Sequence, residues 1–324
     1  MTDLPTIPKV TLGRSGLVST RLGLGCAGWP LRSTYEQVLQ VLQAAFALGM
    51  RHIDLAPFYL TEELFGRALK EVTMPSDTIL ATKVCAYRDE LGLVYREYSA
   101  RTVYRSVERS LKWLQVDHLP IVQIHDCEPP DLPQLLGKEG ALAALMDLKR
   151  QGVVGSIGMA TFSRECLWAA IACGEVDHIQ SYHTYTLLNQ EGKQQVFLPA
   201  RVKNLSVLNN APYAGWILQT GAGPEAMYNY KAASPAVMAA TQRLEEVCAR
   251  KGVALATAAL AFSVLDPEID VTVIGASSPE RLRERVKAVA APLTNLDFQE
   301  MLAAAGESFP TSSPWSVNPI NAFG

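Results

Sequence analysis

Eight short apolar runs, each separated from the next by a longer segment, constrain this 324-residue chain more than any single motif. They read RLGLG (21–25), HIDL (52–55), TILATK (78–83), LPIVQIH (119–125), VVGSIGM (153–159), HIQSY (178–182), LSVLNN (205–210) and VTVIG (271–275). Between them lie TYEQVLQVLQAAFALG, ARTVYRSVERSLKWLQ, ALAALMDLKRQG and PAVMAATQRLEEVCARKG, whose apolar residues recur at helical spacing and which often stop at glycine. Near-continuous apolar strands alternating with amphipathic helices are the pattern of a parallel sheet covered on its outer face. With no linker dividing the chain, the expectation is an α/β fold: one (β/α)8 TIM barrel domain spanning residues 1–324, with a short N-terminal β-hairpin and extra C-terminal helices. Two doubly wound domains are the alternative. The stretch 211–235 after the seventh run reads as an active-site insertion.

Composition narrows the function classes. Hydrophobic residues make up 48% and charged residues 19%, enough for a large core, and the net charge of -3 carries no basic stripe for nucleic acid. The longest apolar stretch, VALATAALAFSVL, falls short of the roughly 20 residues that span a bilayer. No basic start and apolar run marks a signal peptide, and the six cysteines show no CxxC spacing. These features lead us to expect a cytoplasmic protein that binds neither nucleic acid nor membrane, a monomer or small homo-oligomer, with no metal site.

The glycine string GLGCAG (23–28) matches the dinucleotide fingerprint G-x-G-x-x-G. That fingerprint works only if a helix opens at the last glycine. Trp29-Pro30 favours an extended or turned chain there, so we read a barrel loop instead.

The strand ends carry the chemistry. The second run ends at Asp54, with Tyr59 in the loop beyond and TEELFGRALK read as a helix capped by Thr61. The third run ends at Lys83 and the fourth at His125. A charged residue after a strand is ordinarily a solvated loop residue, and a lone histidine there is ordinarily structural. Three successive strands of a barrel, however, deliver their last residues to one mouth. A lysine closing an apolar strand needs a partner, which Asp54 supplies. A nearby ammonium lowers a phenol from its usual value of roughly 10. His125 is placed to hydrogen-bond a substrate oxygen. Such a set moves a proton on or off a carbonyl or carbinol. No side chain here takes a hydride, so a nicotinamide coenzyme is implied.

With these residues the chain resembles the aldo-keto reductases over nearly its whole length. Asp54, Tyr59, Lys83 and His125 match that family's catalytic tetrad in the same strand order. GLGCAG, EELFGRAL, SVERSLKWLQVDHLPIVQIHD, LMDLKRQGVVGSIGM, YTLLNQ and VIGASSPERL resemble its other signatures. HIQSYHTYTLLNQ, NNAPYAGWILQTGAG, MYNY and EEVCARKGV are similar to the branch of L-galactose, L-fucose and D-threo-aldose dehydrogenases, to which pyridoxal dehydrogenases are related.

The resemblance implies oxidation of an aldose at its anomeric carbon to the lactone, with Tyr59 as base. The alternatives are an NADPH-dependent reductase of aldehydes or ketones, including a pyridoxal-type substrate, and a cofactor-binding regulatory subunit. Coenzyme contacts are implied for Gly25, Cys26, Asp54, Tyr182, Asn210, Ala211, Pro212, Tyr213 and Gly215, and for Gly275, Ala276, Ser277, Arg281 and Arg285. Substrate contacts with a small sugar or aldehyde are implied for Tyr59 and His125; by position at the expected mouth, His183 either reaches a sugar hydroxyl or is structural or solvated, and Trp29 and Trp216 either wall a sugar ring or pack on a neighbouring helix. Ser277 and Arg281 match positions that meet a 2′-phosphate, but Ala276 stands where NADP-preferring members carry lysine. NAD is therefore the expected coenzyme, with NADP as the alternative and Arg283 or Arg285 as a substitute cation.

Several positions depart from the family pattern. Ala160-Thr161 replaces Ser-Asn, Tyr182 replaces a glutamine, Asn210 replaces an aromatic residue, and Leu60 replaces the glycine after the catalytic tyrosine. Cys26, Cys85 and Cys127 each follow a strand end. Two readings stand for them: buried fillers at a packed rim, or a reactive thiol beside Lys83.

Overall fold

In the computed structural model of the protein, residues 4–88 and 92–311 are described. The eight apolar runs form a closed, all-parallel barrel in which each strand neighbours the next in sequence. The barrel strands are Leu22–Gly25, His52–Asp54, Ile79–Val84, Leu119–His125, Val154–Thr161, His178–Tyr182, Ser206–Asn210 and Val271–Ile274. Their outer faces pack on helices and their inner faces on each other, so Ile79–Val84 is buried at every position. That two-sided burial is why the runs show no polar alternation.

The barrel floor is a small apolar cluster of Ile79, Ala81, Ile121, Leu208, Val271 and Val273, closed by Leu12. Leu12 comes from the N-terminal hairpin, Lys9–Leu12 against Leu17–Thr20. The hairpin's turn lies so close to the chain beneath that a Cβ on Gly13 would sit 2.5 Å from the carbonyl oxygen of Asn204. Leu12 is fully buried, and truncating such a side chain to alanine costs about 2–5 kcal/mol.

The helices start where the sequence caps them. Thr34 accepts from the backbone of Gln37, whose side chain accepts from the backbone of Thr34, and this capping box opens Tyr35–Ala47. Ser99 and Ser234 cap Ala100–Leu114 and Pro235–Arg250 in the same way, through one bond each. The C-terminal helix Asn295–Ala305 packs on Pro235–Arg250. Among the described residues no single helix is long and apolar enough to cross a membrane.

Two local expectations fail. Thr61 is not a cap but the first residue of Thr61–Ala68; the cap position is Leu60, in the left-handed region at φ 56°. The Thr61 hydroxyl turns back instead to the Ala56 carbonyl at 3.3 Å. A helix does open at the last glycine: of the extended or turned forms expected, Trp29-Pro30 takes the turned one, and Trp29–Arg32 forms one helical turn directly after Gly28. Pro30 falls in the first turn, where its missing N–H has no helical partner to lose. The glycine string nonetheless belongs to the first strand of the closed barrel and the loop that follows it.

Two excursions shape the mouth. After the third barrel strand, Ala86–Arg88 pairs with Val94–Arg96 and packs on the turn Pro57–Tyr59. Within 211–235, a helical turn Ile217–Thr220 is followed by a second small hairpin, Met227–Tyr228 with Lys231–Ala232. Its two turn residues, Asn229 and Tyr230, both have positive φ, as a type I′ turn requires.

Candidate active site

Side chains two residues apart on a strand share a face, and at the barrel mouth that face is the interior. His52 and Asp54, Ala81 and Lys83, Gln123 and His125, and Gln180 and Tyr182 are such pairs. Lys83 Nζ donates to Asp54 Oδ1 and, at 2.9 Å, to the Leu55 carbonyl. Both charged side chains are almost wholly buried, so neither charge is screened by water. Asp54 Oδ2 accepts from Gln180 Nε2 at 2.7 Å and from Asn210 Nδ2 at 3.4 Å.

Tyr59 stands at the end of the single turn Pro57–Tyr59, whose first residue is a proline preset for it. Its hydroxyl lies 3.2 Å from His125 Nε2. Phe58 meets the rings of both edge-on, with centroids 5.7 and 5.8 Å away. Burial, followed by the charges of Lys83 and Arg96, holds the His125 imidazole well below its ordinary value. His125 is thus neutral, and its 3.7 Å approach to Asp126 is no ion pair.

The Tyr59 phenol is pushed well above its ordinary value by burial and by Asp54, Asp126 and Tyr182, contrary to the sequence-based expectation that Lys83 lowers it. Burial is the leading cause, and the Lys83 ammonium, bonded to Asp54 and the Leu55 carbonyl with its Nζ 5.4 Å from the centroid of the Tyr59 ring, does not overcome it. At rest the phenol keeps its proton.

A cavity of about 320 Å3 opens beside the tetrad. Gly25, Cys26 and Asp54 line its inner end, with Tyr182 and Asn210 from the sixth and seventh strands. Ala211, Pro212, Tyr213 and Gly215 form one side, and Gly275, Ala276, Ser277, Arg281 and Arg285 form the other. Tyr59, Trp29 and Trp216 line it as well. Lys83 and His125 lie behind this wall, and so does His183, which is fully buried in a left-handed conformation at φ 61°. Its ring packs on Tyr182 and Tyr230, with centroids at 4.5 and 5.8 Å. Burial pushes it down to about 3. It is packing beneath the wall rather than a contact within the cavity.

Trp29 Nε1, Asn210 Oδ1 and Arg285 Nη1 are buried polar atoms on cavity-lining residues that have no hydrogen-bond partner among the described residues. Arg285 Nη2 donates to Gln219 Oε1 at 2.9 Å, and the guanidinium stands over Tyr213. Arg283 does not line the cavity and pairs with Glu280 on the exposed side of the helix.

Cys26, Cys85 and Cys127 are fully buried. Burial leads in raising Cys26 and Cys85, and a hydrogen bond with Cys166 leads in raising Cys127. The opposing effect of Lys83 on Cys26 is outweighed. Burial favours the packing reading for Cys85 and Cys127, and Cys26 also lines the cavity.

Tyr230, Gln123 and Gln180 are among the residues that the sequence reading missed. Tyr230 reaches the cavity from the type I′ turn, and its hydroxyl bonds that of Tyr182. The signal was present in MYNY, where an Asn-led pair separates two short β segments. Gln123 and Gln180 are polar residues inside apolar runs, two positions before His125 and Tyr182. Their parity placed them under the tetrad.

Comparison with known proteins agrees with this architecture. Residues 21–305 match the aldo/keto reductase family. L-galactose dehydrogenase of Arabidopsis thaliana is 30% identical over 290 residues, covering 86% of each chain. Pyridoxal 4-dehydrogenase of Microbacterium luteolum is 28% identical, covering 86% of this chain and 92% of that one. D-threo-aldose 1-dehydrogenase of a Pseudomonas species is 27% identical, covering 85% and 91%. An aldo-keto reductase from Bacillus halodurans, solved in its holo form, superposes with a TM-score of 0.79 at 25% identity, covering 94% of this chain and 98% of that one. With its closed parallel barrel and this extent of similarity, the chain belongs to the aldo/keto reductase family, and it is an oxidoreductase.

Proposed function

We propose that the protein oxidises a small aldose at its anomeric carbon to the lactone, with Tyr59 taking the proton of the anomeric hydroxyl as its own phenol proton passes to His125 Nε2, 3.2 Å away. The observation that carries this reading is the Tyr59–His125 pair standing over a dry Lys83–Asp54 pair at the edge of an aromatic-walled cavity. Tyr59, Tyr182, Trp216 and Tyr230 line the cavity with aromatic rings suited to a sugar ring, and Trp29, almost wholly buried, backs them. The Tyr59 phenol, with His125 Nε2 bonded behind it, is the polar point of the wall for the reacting oxygen. The similarity to L-galactose and D-threo-aldose dehydrogenases supports the same substrate class.

A nicotinamide dinucleotide fits the cavity by its donors and acceptors, and when bound it supplies the hydride acceptor that no side chain provides. Asn210 Oδ1 is an unpaired acceptor suited to a carboxamide N–H. Arg281, Arg285 Nη1 and Ser277, beside the start of the helix Pro279–Val286, make an anion-binding end suited to phosphate. Gly25, Cys26, Gly215 and Gly275, with Ala211, Pro212, Tyr213 and Ala276, shape the walls between these ends. In our reading NAD is preferred over NADP.

One observation favours a second reading. A phenol that holds its proton is ready to act as an acid, which suits reduction of an aldehyde or ketone by the same residues. The similarity to pyridoxal 4-dehydrogenase keeps an aromatic aldehyde within that range. Steady-state reduction of NAD and NADP across a panel of aldoses, beside oxidation of NADH and NADPH with aldehydes that include pyridoxal, separates the two. A kcat/KM for some aldose at least ten times that for every aldehyde supports the dehydrogenase. The reverse order rejects it.

A further inference from the structure

Lys83 takes one oxygen of Asp54; the other is held from below by an amide chain. Gln180 Nε2 donates to Asp54 Oδ2 at 2.7 Å, and Gln180 Oε1 accepts from Gln123 Nε2. Both glutamines are buried, 0% exposed for Gln123 and 3% for Gln180. The carboxylate can only accept, so the direction of every bond follows from it. The Gln180 amide nitrogen must face Asp54, its oxygen must face Gln123, and Gln123 must donate. Gly158 makes room for this arrangement, since a Cβ there would lie 2.8 Å from both Cγ and Oε1 of Gln123.

We propose that Gln180 is a positioning residue for proton transfer at Tyr59, acting through Asp54 and itself held by Gln123. With Oδ2 fixed, the carboxylate cannot turn, and Oδ1 stays on Lys83. Lys83 Nζ is then pinned between Oδ1 and the Leu55 carbonyl, at a set distance from the phenol ring. Losing the Gln180 bond frees a buried carboxylate to rotate toward another donor and carry the ammonium with it. Asn210, at 3.4 Å, is the longer and weaker hold on the same oxygen. The titratable groups around this assembly are Lys83, Cys26, His52, Tyr59 and His125. The proposal rests on the reading of Tyr59 as the proton-transfer group.

The test uses the full-length enzyme, a simple aromatic aldehyde and reduced coenzyme, so that the identity of the sugar does not matter. Gln180→Met keeps length and removes the donor. Its kcat is expected to fall by about tenfold or more, with the aldehyde KM and the coenzyme Kd (from quenching of protein fluorescence) unchanged within about threefold, and with the pH profile of kcat displaced. Gln180→Glu places an acid beside Asp54. Its introduced carboxyl holds a proton at low pH and donates it to Oδ2, so activity should recover on acidification and collapse when that proton leaves. This acid rescue is read within a single folded protein and does not depend on how well Gln180→Met folds. A Gln180→Met enzyme with wild-type kcat and pH profile, or a Gln180→Glu enzyme with no acid recovery, overturns the proposal. The two readings fail differently. Wild-type turnover in Tyr59→Phe overturns the role of Tyr59 and the proposal with it. An inactive Tyr59→Phe beside an unaffected Gln180→Met overturns the positioning role alone.

Discussion

Tyr59 Oη and His125 Nε2 lie 3.2 Å apart, and burial drives the two groups in opposite directions. It raises the phenol and lowers the imidazole, so both are neutral in the resting protein. Passing the phenol proton to Nε2 turns this neutral pair into an ion pair, while the paired ions behind it, Lys83 and Asp54, stay fixed.

The first expectation follows from that pair. Tyr59→Phe removes the hydroxyl and leaves the ring edges that pack on Phe58 and His125. Turnover should fall by about 10²–10⁴-fold, the range that general acid–base groups contribute. Coenzyme affinity, read from fluorescence quenching, should stay near the wild-type value. Retained turnover would assign proton transfer to another group.

Lys83→Met should cost stability as well as activity. It leaves Asp54 buried with one oxygen unpaired, and breaking such a pair from one side costs about 3–5 kcal/mol. Urea unfolding at neutral pH measures the loss. Adding Asp54→Asn to Lys83→Met should restore part of that stability and none of the turnover. A double variant no more stable than the single one would show that the unpaired charge is not the cause.

Acid sensitivity is built into the barrel. Burial pushes His52 down to about 4 and His178 and His183 to about 3, and lowers His125 too. In the unfolded chain these groups titrate near 6.5. Their neutral folded forms therefore contribute fully above about pH 6.5, and the contribution is lost as the pH falls toward their folded values. Each adds up to about 1.4 kcal/mol of lost stability per pH unit inside that window. Urea midpoints measured from pH 7.5 to 4.5 should fall steadily below pH 6.5. His183→Leu, which deletes a ring with no hydrogen-bond partner on either nitrogen among the described residues, should flatten the slope. An unchanged slope would remove His183 from the account.

Much of this was legible in the sequence, for physical reasons. Strands buried on both faces leave long apolar runs, and alternating faces place Asp54, Lys83 and His125 on one rim from spacing alone. The fate of the Lys83 charge was not legible. Spacing puts an ammonium near a phenol, but only the three-dimensional contacts show it committed to Asp54 and Leu55. For His183 the contacts favour the structural reading over the substrate contact. One residue past a strand end it reads as a mouth residue, yet its left-handed backbone turns it beneath Tyr182. MYNY marks the turn that carries Tyr230, but its place at the cavity was not legible, because a two-residue turn far along a loop carries no register with the barrel.

Coenzyme choice gives the last expectation. Arg281 and Arg285 both line the far end of the cavity, but Arg285 already donates to Gln219 and stacks on Tyr213. Arg283 is turned to Glu280. That leaves Arg281 as the side chain best placed to meet a 2′-phosphate, and Ala276 adds no second cation beside it. An exposed charge of this kind is worth about 1 kcal/mol, too little to make a site selective for NADP. The kcat/KM for NAD should therefore equal or exceed that for NADP. Arg281→Ala should lower kcat/KM for NADP several-fold and spare NAD, because NAD has no phosphate there to lose. Ala276→Lys should act in the opposite sense, raising NADP use with little effect on NAD. Because the contact is screened by salt, the Ala276→Lys gain should shrink between 0.02 and 0.5 M salt. A wild-type preference for NADP by tenfold or more, insensitive to Arg281→Ala, would place 2′-phosphate recognition on other residues.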